Sequence, residues 1–151
     1  MSATFFMVTE WVGDSDRVSS ANISEMDNSK SLSGKKLFSI ESHSASHPFL
    51  VRDSSNFANP EEYKSWLNSE LRDSKNWIQN ITGQSSMWLA LPYGNGANNP
   101  QVIATAKSNG YSGIRTSIYG SFTVKTMDPF ALPSLPLYSY SEISEVDNYM
   151  P

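Results

Sequence analysis

The sequence predicts an α/β domain built around a parallel sheet, and three observations favour this fold class. Short runs of β-branched, aromatic and aliphatic residues alternate with longer segments of helical periodicity. The run Met87–Leu91 is apolar at every position, which is typical of a strand buried on both faces of a sheet. From Leu37 onward the order is strand, helix, strand, helix, strand. This alternation is typical of parallel β/α units joined by right-handed crossovers.

The first third of the chain contains two predicted strands separated by a polar loop. Ala3–Val8 is an apolar run of strand length, rich in aromatic and β-branched residues. The serine-rich stretch from Gly13 to Gly34 predicts a loop with one short helix near Ile23–Met26. Leu37–Ile40 predicts a second strand, and Pro48 ends this region of regular structure.

The clearest helix is predicted between Asn59 and Gly83. Asn59 is a favourable N-cap residue, Pro60 suits the first helical position, and Gly83 is a typical residue at a helix end. Two glutamates follow the proline, where they stabilise the positive end of the helix. Apolar side chains recur at steps of three and four residues and form one face: Tyr63, Trp66, Leu67, Leu71, Trp77 and Ile78.

A second capped helix and a further strand complete the pattern. The apolar strand is followed by a turn at Pro92–Gly96. A helix with the N-cap residue Asn99 is predicted to end at Gly110, and Tyr111–Thr116 is the next predicted strand. The proline-rich tail then predicts a short helix over residues 141–149.

Length and composition exclude several classes of protein. The 151 residues predict a single domain over residues 1–151. The net charge of −4, with no cluster of lysine or arginine, makes a nucleic-acid partner unexpected. No apolar run approaches the ~18 residues of a membrane-spanning helix. The absence of cysteine excludes disulfides, cysteine nucleophiles and thiolate zinc sites. No signal peptide is recognised, and the compartment stays open.

The two histidines of the chain stand close together, at positions 43 and 47. They follow the predicted strand Leu37–Ile40, and the carboxyl ends of parallel strands are where α/β folds place their sites. Neutral imidazole is the commonest metal ligand in proteins, and two at this spacing can reach one ion if the backbone curls. The pair therefore indicates a metal site, with two surface histidines in a serine-rich turn as the alternative.

A second candidate site feature is Pro92–Gly94, which also follows a buried strand. An exposed main-chain N–H in such a turn can hold an oxyanion, and its side chains can form the wall of a substrate groove. The alternative is an ordinary strand-to-helix turn, in which proline and glycine supply the backbone geometry.

Together these segments resemble the polysaccharide deacetylase family, the NodB-homology group or carbohydrate esterase family 4. His43–Pro48 is similar to the second motif of the family, H-S/T-x-x-H-P. Ala90–Gly94 and the helix after it are similar to the third motif, in the A-Y-P-Y-G form of the exopolysaccharide deacetylases. Ala3–Gly13 resembles the second barrel strand of the family. The resemblance runs from about residue 3 to about residue 147 and implies a distorted (β/α) barrel.

The resemblance also implies an activity, a cofactor and site residues. The family removes acetyl groups from chitin-like, peptidoglycan or exopolysaccharide sugars, and it binds a divalent metal, usually zinc, through Asp-His-His. Carried over by position, His43 and His47 are the metal ligands. The N–H of Tyr93 helps to hold the oxyanion, and Pro92 with Tyr93 lines the sugar groove. The implied partner is therefore an acetylated polysaccharide.

The sequence departs from the family pattern at the first motif, T-F-D-D, and at the late histidine that acts as general acid. Neither has a counterpart here, and we expect an incomplete barrel that lacks the first strand, the aspartate base and the aspartate ligand. Glu41, two residues before His43, and Asp14, after the first predicted strand, are the first candidates for a replacement ligand. Asp16 and Asp53 are weaker candidates, and all four acids can equally be solvated loop charges.

Three functions follow from these observations. The first is a metal-dependent deacetylase of N-acetylated polysaccharide that is incomplete or weakly active as this chain. The second is a non-catalytic carbohydrate-binding or assembly module with the same fold, in which Trp11, Trp88 and Tyr93 offer faces for sugar stacking. The third is a structural α/β protein without a site. An exposed edge at Ala3–Val8 further predicts a homodimer, a complementing chain or a rearranged sheet.

Overall fold

The computed structural model describes residues 2–121, 123 and 125–136. Strands and helices alternate over residues 3–119, as the sequence predicts, and one further strand follows with no described helix directly before it. The elements in chain order are β1 (Ala3–Met7), α1 (Ser20–Asn28), β2 (Phe38–Ser42), α2 (Pro60–Thr82), β3 (Trp88–Ala90), α3 (Pro100–Ser108), β4 (Gly113–Tyr119) and β5 (Leu132–Ser134). Short 3₁₀ turns follow β1 and β3, at Thr9–Trp11 and Pro92–Gly94.

The five strands form one parallel sheet in the order β1-β2-β3-β4-β5. A doubly wound sheet reverses its strand order at one point, whereas a barrel adds each strand beside the previous one. Because right-handed crossovers between strands in sequential order keep their helices on one side, this topology is that of a (β/α) barrel. The sheet of the described residues is open between β1 and β5, and the expected incomplete barrel is confirmed.

Helix α2 begins and ends where the sequence predicts. The side chain of Asn59 accepts hydrogen bonds from the N–H groups of Glu61 and Glu62, which satisfies two donors of the first turn. Gly83 ends the helix with a φ of 71°, a left-handed conformation that glycine adopts without steric cost. This helix contacts β2, α1 and α3, so its position decides how the loop after β2 is held.

The other two helices also begin at capping residues. Asn99 caps α3 through the N–H groups of Gln101 and Val102, as expected. Ser19 caps α1 in a reciprocal arrangement with Asn22, and the helix spans Ser20–Asn28. The sequence placed only a short helix near Ile23–Met26, because the apolar periodicity of this polar segment is weak.

The core lies between the sheet and the helices in two clusters. The larger joins α2 and α3 to β3 and β4 and contains Leu50, Tyr63, Leu67, Leu71, Leu89, Leu91, Val102, Ala106, Tyr111 and Ile114. The smaller consists of Ile23, Ile40 and Ile78, one from each of α1, β2 and α2. Most of the apolar stripe predicted for α2 is therefore buried, and Trp66 and Trp77 pack at its margins.

Of the two edge strands of the sheet, β1 was predicted from the sequence and β5 was not. Strand β1 lies at one end of the sheet, and its residues Ala3–Phe5 are exposed, in line with the predicted free edge. Strand β5 at the other end was not predicted, because Pro133 lies inside it; proline is tolerated there because the strand is an edge. The helix predicted over residues 141–149 lies outside the described residues. Within the described part, no helix is long and apolar enough to cross a membrane.

Candidate metal and substrate site

The two histidines lie on a tight loop directly after β2. Ser44 and His47 have left-handed backbones, with φ values of 65° and 66°. Such conformations cost about 1–3 kcal/mol each in residues other than glycine and persist only where the surroundings impose them. The N–H of His47 donates to the hydroxyl of Ser44 at 3.0 Å, and the N–H of His43 donates to the carbonyl of Met7 on β1 at 2.9 Å. The curl of this loop brings both rings to the same place.

The imidazole rings face each other through their Nε2 atoms, which are 3.2 Å apart. The Nδ1 of His43 lies 2.8 Å from the carbonyl oxygen of Ala90, at the end of β3. Since a carbonyl oxygen only accepts, Nδ1 carries the proton and Nε2 of His43 presents a lone pair. A hydrogen bond that the distal ring N–H donates to a main-chain carbonyl is a usual way in which proteins orient a histidine ligand.

Burial favours the neutral form of both rings. Burial is the largest cause of the lowered pKa of His43. The hydrogen bond to the carbonyl of Ala90 raises this pKa, and electrostatic repulsion from His47 and Arg115 lowers it further. Burial also lowers the pKa of His47. Because a metal ion binds neutral imidazole, these shifts keep the pair ready to bind a metal at neutral pH.

His47 is surrounded by aromatic rings. Its ring centroid lies 5.0 Å from that of Trp11 and 4.6 Å from that of Tyr93. The Nδ1 of His47 is buried and has no hydrogen-bond partner among the described residues. Because Nε2 of His43 presents a lone pair, Nε2 of His47 is the donor in the 3.2 Å contact between the rings, and it becomes a metal ligand only when its proton moves to Nδ1.

A cavity of about 260 Å³ opens beside the histidine pair, next to the edge strand β1. Its walls are mainly apolar. They also carry the two imidazoles and one charged group, the guanidinium of Arg17. That group lies 4.2 Å from the ring centroid of Trp11. The lining residues are Phe6, Met7, Val8, Trp11, Val12, Arg17, Val18, His43 and His47.

The turn after β3 forms the other wall of the site. Tyr93 has a left-handed backbone, with φ 56°, and its side chain is 59% exposed. The ring stacks on Phe49 with centroids 4.0 Å apart, while Pro92 is buried beneath it. The turn is closed by the N–H groups of Gly94 and Asn95, which donate to carbonyls before them, and the N–H of Tyr93 takes no part in those bonds. This wall presents an aromatic face and a main-chain donor on one residue.

Glu41 is held elsewhere than the sequence suggested. Alternation along β2 put it on the same face as His43, but its buried carboxylate turns to the start of β3. Oε2 accepts hydrogen bonds from the hydroxyl of Ser86 and the N–H groups of Met87 and Trp88, at 2.8–2.9 Å. These contacts assign Glu41 to the junction of β2 and β3.

The aspartates named from the sequence form no metal-binding group with the pair among the described residues. Asp14 is exposed, and Asp16 is exposed in a left-handed backbone. The carboxylate of Asp53 accepts from the N–H of Phe49. Within residues 2–121, 123 and 125–136, no three His, Asp or Glu side chains are arranged to hold one metal ion. The structure thus brings together His43 and His47, and no third ligand joins them among the residues that it describes.

Sequence reasoning missed Glu70, which holds the histidine loop from helix α2. Its buried carboxylate accepts hydrogen bonds from the N–H groups of Ala45 and Ser46 and from the hydroxyl of Ser46. A signal was present, because Glu70 stands between Leu67 and Leu71 on the apolar face of the helix. A carboxylate is rarely buried at such a position without partners.

The fold is that of solved polysaccharide deacetylases. The chain is similar to one from Bacillus cereus at 23% identity, with a TM-score of 0.75 over 98% of this chain and 41% of that one. It is similar to the deacetylase PplD from Streptococcus pyogenes, solved with acetate, at 18% identity and a TM-score of 0.80 over 99% and 59% of the two chains.

A further solved structure of the same fold is described as a pseudoenzyme. It is a CE4 family protein from Bacillus anthracis, with 18% identity and a TM-score of 0.52 over 75% of this chain and 33% of that one. The chain thus spans less than two thirds of the length of these solved structures. No curated protein sequence matches it. The sequence pattern of the polysaccharide deacetylase family, however, matches residues 1–114, and the chain belongs to that family.

Proposed function

We propose that this chain carries the metal-binding and substrate-binding part of a deacetylase that hydrolyses N-acetyl groups on polysaccharide. The observation that carries the proposal is the distance of 3.2 Å between Nε2 of His43 and Nε2 of His47. Family membership supports the reaction class, and the histidine pair supports the use of a metal.

The separation of the two nitrogens fits a shared zinc ion. Zinc binds imidazole nitrogen at about 2.0–2.1 Å, usually in tetrahedral geometry. Two ligands at that distance and at a tetrahedral angle lie about 3.3 Å apart. The pair in this chain is within 0.2 Å of that value, so the spacing of the two nitrogens suits one shared ion. Ala90 fixes His43 in the required tautomer, whereas His47 must move its proton from Nε2 to Nδ1 in order to bind.

The residues around the pair support substrate binding and oxyanion stabilisation. A bound zinc ion supplies a polarised carbonyl and a water of lowered pKa. The exposed ring of Tyr93, backed by Phe49, offers a flat apolar face on which a sugar ring can stack. The N–H of the same residue takes no part in the bonds that close the turn, and it is the proposed donor to the oxygen of an acetamide that becomes negatively charged. Pro92 fixes the turn that presents both groups.

The remaining ligand and the proton-transfer groups are proposed to come from outside the described residues. Hydrolysis needs a base for water and an acid for the leaving amine. The free edge of β1 lies beside the cavity that contains both histidines, so a strand added there reaches the pair directly. A complementing chain, a second copy or a longer form of this protein can supply such a strand.

The second candidate function is non-catalytic carbohydrate binding. The row of rings formed by Trp11, His47, Tyr93 and Phe49 supports it, because sugar rings stack on aromatic faces without a metal. That a CE4 family pseudoenzyme shares this fold also supports it. In this alternative, oligomers of N-acetylglucosamine bind to the chain and remain acetylated.

Acetate release from N-acetylglucosamine oligomers in the presence of zinc tests the proposal. The wild type is compared with His47→Ala, which removes one ligand, and with Tyr93→Ala, which removes the stacking face. Because part of the catalytic machinery is proposed to lie outside the described residues, we expect weak zinc-dependent release, which His47→Ala abolishes and Tyr93→Ala reduces. Oligomer binding without release supports the carbohydrate-binding alternative, and neither binding nor release contradicts both functions.

A further inference from the structure

One carboxylate reaches the histidine loop from the helix behind it. Glu70 lies in the middle of α2, and its side chain is 7% exposed. Oε2 accepts hydrogen bonds from the N–H of Ala45 at 3.1 Å and from the N–H of Ser46 at 3.0 Å. Oε1 accepts from the hydroxyl of Ser46 at 2.7 Å. The carboxylate therefore binds Ala45 and Ser46, which lie between the two histidines in the sequence.

The main chain of the helix adds a further contact to the loop. The N–H of Ala45 also lies 3.1 Å from the main-chain oxygen of Glu70. Within the loop, the hydroxyl of Ser44 accepts from the N–H of His47, and the N–H of Ser44 donates to the hydroxyl of Ser42. The loop is thus tied to α2 at its centre and to itself, and its carbonyls at Ser44 and Ala45 also accept hydrogen bonds from the turn after β1.

These contacts explain how the loop keeps an unfavourable backbone. Ser44 and His47 both have positive φ, and they flank Ala45 and Ser46, which Glu70 holds. Without the carboxylate, the half-buried N–H of Ser46 loses its acceptor and the N–H of Ala45 keeps only the main-chain oxygen of Glu70, so the left-handed residues are freer to relax. Relaxation at His47 moves its Nε2 away from Nε2 of His43.

We infer that Glu70 is a positioning residue that holds His43 and His47 at the separation needed to share one metal ion. The inference rests on the proposed function, because the metal binds to the same pair. Glu70 touches neither imidazole in the contacts described, and its effect passes through the main chain of Ala45 and Ser46. Partners of this kind typically change metal affinity 10–100-fold when they are replaced.

Zinc titration of the full chain tests the inference with three variants. Glu70→Gln keeps the length of the side chain but replaces one acceptor oxygen with an NH₂ group. Ser46→Ala removes only the contact of 2.7 Å and leaves the carboxylate in place. Ile78→Val is the matched control, because it lies on the same helix, is fully buried in the smaller core cluster and destabilises without touching the loop.

We expect Glu70→Gln to weaken zinc binding about 10–100-fold, Ser46→Ala to weaken it less, and Ile78→Val to leave it unchanged. Wild-type affinity in a folded Glu70→Gln variant overturns the inference. An equal loss in Ile78→Val also overturns it, since the effect is then general destabilisation. If Glu70→Gln does not fold, Ser46→Ala decides: unchanged affinity in that variant counts against the inference.

A second measurement separates this inference from the proposed function. The ¹⁵N resonances of the histidine rings in the metal-free protein report the tautomers and the contact between His43 and His47. We expect Glu70→Gln and Ser46→Ala to change these resonances while Ile78→Val leaves them as in the wild type. If the wild type binds no zinc, the proposed metal function fails, and the ring resonances still decide whether Glu70 positions the pair.

Discussion

Glu41→Gln is expected to destabilise the fold and to leave the zinc affinity of the folded protein unchanged. The substitution keeps the shape of the side chain and replaces a carboxylate by an amide. The variant distinguishes two roles for Glu41. The sequence suggested a metal ligand, whereas the structure places the carboxylate at the junction of β2 and β3. A junction residue affects stability, and a ligand affects metal binding.

The magnitude follows from the contacts of the carboxylate. Oε2 accepts three hydrogen bonds, from the hydroxyl of Ser86 at 2.9 Å and from the N–H groups of Met87 and Trp88 at 2.8 and 2.9 Å. A hydrogen bond to a charged group contributes about 1.5–3 kcal/mol, and one to a neutral group about 0.5–1.5 kcal/mol. Losing the charge at three bonds therefore costs about 3 kcal/mol. For a chain of this size, that lowers Tm by about 6–12 °C.

Urea denaturation measures the free energy of unfolding, and calorimetry measures zinc binding at a temperature where the variant is folded. Glu25→Gln is the matched control, because the side chain of Glu25 is exposed on α1 and the charge change is the same. The control is expected to stay within about 0.5 kcal/mol of the wild type. Unchanged stability with weakened zinc binding in Glu41→Gln would refute the reasoning and identify Glu41 as a ligand.

Two further predictions concern the turn and the imidazoles. Gly94→Ala is expected to destabilise the fold more than Gly83→Ala. Both glycines have positive φ, but a Cβ at Gly94 would lie 2.7 Å from the Cβ of Ser117, whereas a Cβ at Gly83 would have no atom within 4 Å. An equal loss of unfolding free energy in urea denaturation of the two variants would contradict this. Since burial lowers the pKa of His43 and His47 below the usual 6.5, they stabilise the fold fully above pH 6.5, and this contribution is lost as the pH falls through the lowered values. The free energy of unfolding should therefore fall between pH 7 and pH 5 in the wild type and fall less in His43→Gln; equal slopes would argue against neutral buried imidazoles.

The helices could be predicted from the sequence because their ends are marked by local chemistry. Asn59 and Gly83 define the limits of α2, and Asn99 defines the start of α3, through side-chain caps and a left-handed glycine. These interactions depend only on residues within one turn, so no tertiary information is needed. The histidine pair was predicted for a similar reason, since a spacing of four on one curled loop brings two rings together.

The parts that could not be predicted depend on contacts far apart in the chain. Glu41 meets Ser86 across 45 positions, and Glu70 meets Ala45 across 25. A strand pattern shows which face Glu41 occupies but not that donors at the start of β3 satisfy it. Burial of Glu70 on an apolar helix face indicated a hidden partner without identifying it. Strand β5 was missed because Pro133 argues against a strand unless the strand is known to be an edge.

The most direct test of the central claim is zinc binding by calorimetry, on the wild type and on His43→Ala. The account predicts saturable binding of one zinc ion per chain, weakened at least about tenfold in the variant. It also predicts that Glu25→Gln, in which an exposed charge on α1 is removed, binds as the wild type does. Absence of zinc binding, or binding that His43→Ala leaves unchanged, would contradict the claim that the two facing imidazoles form a metal site.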